Sequence, residues 1–98
     1  MDQDAFELEA ELWLADAADA WVFLTLPADV GEMVRELAGP PRGFGSVRVE
    51  VTVGSTTWRT SVFPDQARGY VLPVKKAVRR AESLEIGDST RLRLVVLG

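Results

Sequence analysis

The sequence predicts a mainly β, β-rich α+β domain: a small closed or nearly closed antiparallel barrel of about six strands with two short helices. Three observations carry that expectation. Apolar and polar residues alternate with period two in several short segments. Proline and glycine punctuate the chain between those segments. No strand-like segment has the long apolar run of a parallel strand covered on both faces, so an antiparallel arrangement that closes on itself and removes its own edges suits a chain of 98 residues.

In the first segment Phe6, Leu8, Ala10, Leu12 and Leu14 alternate with Glu7, Glu9, Glu11 and Trp13, as in a strand with one wet face. The polar stretch Asp16–Asp19 interrupts the alternation, and Trp21 to Leu26 resumes it as the returning strand of a hairpin. Pro27 suits a helix start, and Val30, Met33, Val34 and Leu37 fall at i, i+3, i+4 and i+7, giving one apolar face. Asp29 and Glu32 complement the positive end of the helix dipole, and Gly39-Pro40-Pro41 stops the helix, which spans about residues 28–38.

Beyond the Gly-rich Arg42–Ser46 connection, Val47, Val49, Val51 and Val53 alternate with Arg48, Glu50 and Thr52. Gly54-Ser55 supplies a two-residue turn with glycine first, and Thr56 to Phe63 returns. If Val53 closes against Thr56, then Val51 pairs with Trp58, Val49 with Thr60 and Val47 with Val62 on the inner face, and Glu50 lies opposite Arg59 outside. That register makes Trp58 a core residue.

The stretch from Phe63 to Gly69 reads as a turn-rich loop and Tyr70 to Leu72 as a short strand. Pro73 is expected to start a second helix with Val74, Ala77, Val78 and Ala81 on its apolar side and Lys75, Lys76, Arg79 and Arg80 elsewhere. Ile86-Gly87-Asp88 turns the chain into a last strand, where Leu92, Leu94 and Val96 alternate with Arg91 and Arg93. The order is strand, strand, helix, strand, twice over. Leu-Pro precedes each expected helix, at 26-27 and 72-73, so the order is compatible with duplication of one ββαβ unit.

With 47% hydrophobic and 27% charged residues, the chain suits one domain over residues 1–98. It contains no cysteine and no histidine, which excludes disulfides, Cys-ligated zinc, a Cys nucleophile and every Ser-His-Asp or Cys-His site. No cofactor is expected. Metal ligation by carboxylates alone would need a tighter cluster than Asp16 and Asp19. Gly43-Phe44-Gly45 lacks the third glycine and the strand-to-helix setting of a dinucleotide site. The acidic amino terminus is unlike a secretory signal, and the longest uncharged run, Ala20–Ala28, is too short to cross a bilayer, so a cytoplasmic protein that keeps off membranes is expected, as a monomer or homodimer.

Net charge is −4, but its distribution is uneven: residues 1–36 hold ten acids and one base, and residues 37–98 hold five acids and ten bases. Complementary pairing within the fold accounts for this in the plainest way. An anion-binding face on the basic half accounts for it more pointedly.

The order of Gly43-Phe44-Gly45-Ser46-Val47, Thr57-Trp58-Arg59-Thr60-Ser61-Val62-Phe63-Pro64, Tyr70-Val71-Leu72-Pro73-Val74-Lys75, Val78-Arg79 and Gly87-Asp88 resembles the domain of unknown function catalogued under number 1905. The first hairpin and the Leu-Pro helix fit the same pattern. The resemblance implies a small bacterial β-barrel domain, found alone or joined to another uncharacterised domain associated with bacteriocin protection, and it implies no activity.

The remaining candidates for function are Arg59, Ser61, Arg68, Tyr70, Lys75 and Arg79, with Asp65 beside them; they resemble a binding set more than a catalytic one. Three functions compete. The first is a non-catalytic barrel binding a small anionic ligand or a protein partner through those residues. The second is nucleic-acid binding through Arg59, Arg68 and the basic helix at 74–82, which the net charge opposes. The third is a histidine-free enzyme with a pocket near Tyr70 and Lys75, in which a Ser61–Lys75 pair would require a buried lysine. Trp13 sits in the phase of the glutamates and Trp21 across the hairpin from it, so an exposed aromatic pair or a helix-covered one is expected there.

Overall fold

The computed structural model describes residues 5–15, 21–39 and 45–98. Among them the chain runs β1 (Ala5–Leu14), β2 (Val22–Thr25), α1 (Ala28–Ala38), β3 (Val47–Val53), β4 (Thr56–Asp65), β5 (Gly69–Pro73), α2 (Lys76–Ala81) and β6 (Ser89–Val96). The strands form a closed barrel in the order β1-β2-β5-β4-β3-β6, every neighbouring pair antiparallel. The expected fold class is the observed one. The Asp16–Asp19 turn and the Pro40–Phe44 part of the third connection lie outside the described residues.

The β3–β4 register is the one the alternation dictates: Val51 opposite Trp58, Val49 opposite Thr60, Val47 opposite Val62, and Glu50 opposite Arg59. The four valines, Trp58 and Val62 are buried. Outside, Arg59 donates from Nε to Glu50 Oε2 at 3.1 Å. At the turn Gly54 takes φ +57° and Ser55 has no positive φ, as a glycine-first hairpin requires. A Cβ at Gly54 would also collide with the Glu82 carboxylate, which accepts hydrogen bonds from the Thr56 and Ser55 hydroxyls and so ties the end of α2 to this turn. Gly54→Ala is therefore expected to cost about 1–2 kcal/mol from the left-handed backbone alone, read as a lower urea midpoint with unchanged slope.

β1 pairs with β6 from Ala5 to Glu11, and the pairing places Glu7 opposite Arg93 and Glu9 opposite Arg91. The acids of the first strand thus answer the arginines of the last strand rather than the basic helix. Inward from them, Leu8 and Leu12 join Leu92 and Leu94 in the core, while Leu14 ends the strand half exposed.

α1 starts after Pro27 and ends at Gly39, whose φ of +74° breaks the helix before the prolines. It packs on β3, β5 and β6, burying Val30 and Val34. Met33 and Leu37 remain exposed, a narrower apolar face than the i, i+3, i+4, i+7 spacing predicts. The helix meets the barrel along the i, i+4 row of Val30, Val34 and Ala38, and Met33 and Leu37, each one position before a member of that row, rotate into solvent.

Two expectations about the second half are corrected. β4 continues through Pro64 to Asp65, leaving only Gln66–Arg68 for the turn, in which Asp65 Oδ1 accepts the Ala67 and Arg68 N–H groups at 2.9 Å each. Pro73 ends β5 opposite Phe23 instead of starting a helix. Val74 remains extended, donating its N–H to the Val22 carbonyl at 2.9 Å, and Lys75 has ψ 158°, so α2 begins only at Lys76. Val74 and Val78 are buried, but Ala77 and Ala81 are exposed.

The ring order is unchanged when β1, β2 and β3 are exchanged with β4, β5 and β6. The registers permit the same exchange. It carries Trp13–Phe23 onto Phe63–Val71, Leu14–Val22 onto Pro64–Tyr70 and Leu8–Leu92 onto Trp58–Val51. The two ββαβ halves are therefore equivalent in topology and register. Under this relation Leu26 falls on Val74 and not on Leu72, so the two Leu-Pro pairs occupy different places in the repeat.

Candidate functional site

β4 and β5 pair from Phe63–Val71 to Asp65–Gly69 and no further. β4 runs on alone towards Thr56, while β5 follows β2 and then leaves as Val74, Lys75 and α2. Where the two strands part, a cleft of about 290 Å³ opens between Trp58, Arg59 and Thr60 of β4, Val22 of β2 with Trp21 just before it, and Pro73, Val74, Lys75 and Arg79.

Its floor is apolar: Trp58, Val22 and Val74 are buried, and Trp58 contributes only its edge, being 8% exposed. Its rim is cationic. Arg79 is half-buried and donates from Nε to the Val74 carbonyl at 3.1 Å, which fixes the guanidinium plane and leaves both terminal amino groups for another partner. Lys75 is exposed. Neither Lys75 nor Arg79 forms an ion pair among the described residues, where the ion pairs include Arg59–Glu50 and Arg68–Asp65. Glu82, three residues on from Arg79, is engaged by Thr56 and Ser55.

One wall is Trp21, 51% exposed. Its ring stacks on Phe23 with centroids 5.9 Å apart and planes 13° from parallel. Phe23 in turn lies 5.3 Å from Trp13, whose indole N–H donates to Thr25 Oγ at 2.9 Å and whose face is covered by the Arg68 guanidinium at 4.1 Å. The expected Trp13–Trp21 pair is corrected: the register sets Phe23, not Trp21, opposite Trp13, and Phe23 stands between the two indoles in a row along the outer face of the barrel.

Of the six site residues named from sequence, the structure brings Arg59, Lys75 and Arg79 together at the cleft. Arg68 sits with Trp13 at the other end of the aromatic row, held by Asp65 at 3.6 Å. Ser61 shares the outer face of β4 with Arg59 but lies opposite Arg48, outside the cleft. Tyr70 is buried under α1, with Arg35 5.9 Å above its ring, so it lines no common cleft with Lys75. Trp21, Trp58 and Thr60 are cleft residues absent from that set. Period-two patterning assigns them a face but gives no sign that β2 and β5 are neighbours.

The family described as "Domain of unknown function (DUF1905)" matches residues 8–94. The chain belongs to the DUF1905 family. The match takes in every cleft residue, so the cleft is part of the DUF1905 domain itself and not of an appended segment. No curated protein matches the chain. Among the described residues of this DUF1905 domain, no helix is long and apolar enough to cross a membrane.

Proposed function

We propose that the DUF1905 barrel is a binding domain that takes a small anionic ligand in the cleft between β4 and β5, with Lys75 and Arg79 as its principal charge partners and Arg59 at the rim. The observation that carries this reading is a comparison within the molecule. The exchange of halves relates this cleft to a groove lined by Glu9, Ala10, Thr25, Leu26 and Pro27, which stand where Arg59, Thr60, Pro73, Val74 and Lys75 stand in the cleft. The strand register is repeated, but Glu9 stands where Arg59 does and a proline where Lys75 does, and the arginine of that groove, Arg68, comes from the β4–β5 turn and is paired with Asp65. Folding therefore does not demand cations at such a place; the residues that line it are free to serve a ligand.

Guanidinium and ammonium groups without a carboxylate partner, held over an apolar floor, bind anions more strongly than the same groups in open water, because the local dielectric is lower. Titration calorimetry with inorganic phosphate at low ionic strength tests the assignment. Lys75→Ala and Arg79→Ala are each expected to weaken binding about tenfold, the loss of one charge-assisted hydrogen bond, and the double variant to abolish it. Ser61→Ala and Glu9→Gln are expected to leave it unchanged, and raising the salt to about 0.15 M to weaken it in every variant that still binds. Binding that survives the double variant would place the anion elsewhere.

A further inference from the structure

We infer that the ligand of this cleft is a phosphate monoester carrying a planar ring, a mononucleotide in chemical class, with the phosphate at Lys75 and Arg79 and the ring on the open face of Trp21. The inference rests on the anion-site reading above and adds the part of the ligand that lies away from the charge.

Trp21 is the reason for a ring. Trp21 is 51% exposed and belongs to a contiguous aromatic row, the kind of exposed patch that marks a binding surface, and this side chain is not free to turn away. Phe23 backs one face almost in parallel, and Trp13 backs Phe23 in turn, anchored by its hydrogen bond to Thr25. The indole plane is thus set before any ligand arrives, and stacking on it costs little ordering. A preset aromatic plane takes another π-face in an offset stack, and every nucleobase has one.

Arg79 is the reason for a phosphate. With Nε held by the Val74 carbonyl, its two remaining amino groups form the planar fork that meets two oxygens of one phosphate, and Lys75 adds a point charge for a dianion. The volume of about 290 Å³ is at the small end for ligand clefts and suits one small molecule. A longer nucleic acid is disfavoured by what lies beyond. A strand following the aromatic row from Trp21 past Phe23 to Trp13 reaches the groove of Glu9 and Glu11, where its phosphates would meet two carboxylates and an Arg68 already paired with Asp65.

The test is a calorimetric series on the full chain with adenosine monophosphate, ribose 5-phosphate, inorganic phosphate and a single-stranded oligonucleotide. The monophosphate is expected to bind about tenfold or more tighter than ribose 5-phosphate, the gain of one base stacked on an aromatic ring. Trp21→Ala should remove that gain and leave the affinity for ribose 5-phosphate as it was. In the unaltered chain the Trp21 indole N–H resonance, assigned by its loss in the variant, should shift with the monophosphate and not with inorganic phosphate. Equal affinities for the monophosphate and ribose 5-phosphate would overturn the ring site while leaving the anion site standing. Failure of all the phosphates to bind would overturn both, and an oligonucleotide that binds more tightly per site than the monophosphate would replace the small ligand with a nucleic acid.

Discussion

Trp58→Ala is expected to destabilise the barrel by about 3–5 kcal/mol, a large share of the roughly 5–15 kcal/mol that holds a domain of this size together. Trp58 lies opposite Val51 on the inner face of the β3–β4 pair and is only 8% exposed, although its edge reaches the cleft. Truncation leaves a cavity bounded by β-strand backbone, which cannot collapse to fill it. The next residue provides the control. Arg59 points outward with a side chain 68% exposed, so Arg59→Ala should cost less than about 1 kcal/mol even though it breaks the ion pair with Glu50. Urea denaturation of the two variants separates the faces: equal losses would mean that the strand register is wrong by one residue, since a one-residue slip exchanges inner and outer positions.

This hairpin was the most legible part of the sequence because three signals agree there: alternating valines, a glycine that the turn geometry needs, and opposite charges that meet across the strands. Pro73 is ambiguous in the sequence because proline is at home both in the first turn of a helix and at the end of a strand that need not donate, and nothing local decides between them. What decides is tertiary: β2 supplies Phe23 as the partner of Pro73 and the Val22 carbonyl as the acceptor for Val74, which holds the chain extended for two further residues. Met33 and Leu37 carry the same lesson for helices. Their spacing is sound, but how much of an apolar stripe is buried depends on the width of what lies under it.

The cleft was half legible. Lys75 and Arg79 are one helical turn apart by spacing, yet the spacing holds only loosely, since Lys75 stands before the first turn of α2 and not within it. Trp21 and Arg59 are far from them in sequence and arrive through the order β2-β5-β4, which no periodicity encodes. The two Leu-Pro pairs that suggest a duplication are not equivalent positions, although the two halves share one topology. Their equivalence lies in hydrogen-bond register, a property of pairs of residues that a single strand does not display.

The second large effect is expected at the closure of the barrel. Leu24 pairs with Leu12 of β1 on one side and with Leu72 of β5 on the other, and all three side chains have no exposed surface. β2 has only four residues, and through them it joins β1 to β5, so this row of leucines is the main apolar contact across the seam that closes the ring. Leu24→Ala should therefore lose about 2.7–5 kcal/mol, towards the upper end because strands on both sides are held by hydrogen bonds and relax little into the space. Leu37→Ala removes the same atoms from α1, where 42% of the residue is exposed, and should shift stability by no more than about 0.5 kcal/mol. The slope of urea unfolding adds a further reading. If β2 stays paired the slope is unchanged, whereas a barrel that opens at this seam exposes apolar surface before global unfolding and lowers the slope. A Leu24→Ala protein as stable as the parent, or one no less stable than Leu37→Ala, would mean that the ring does not close through β2.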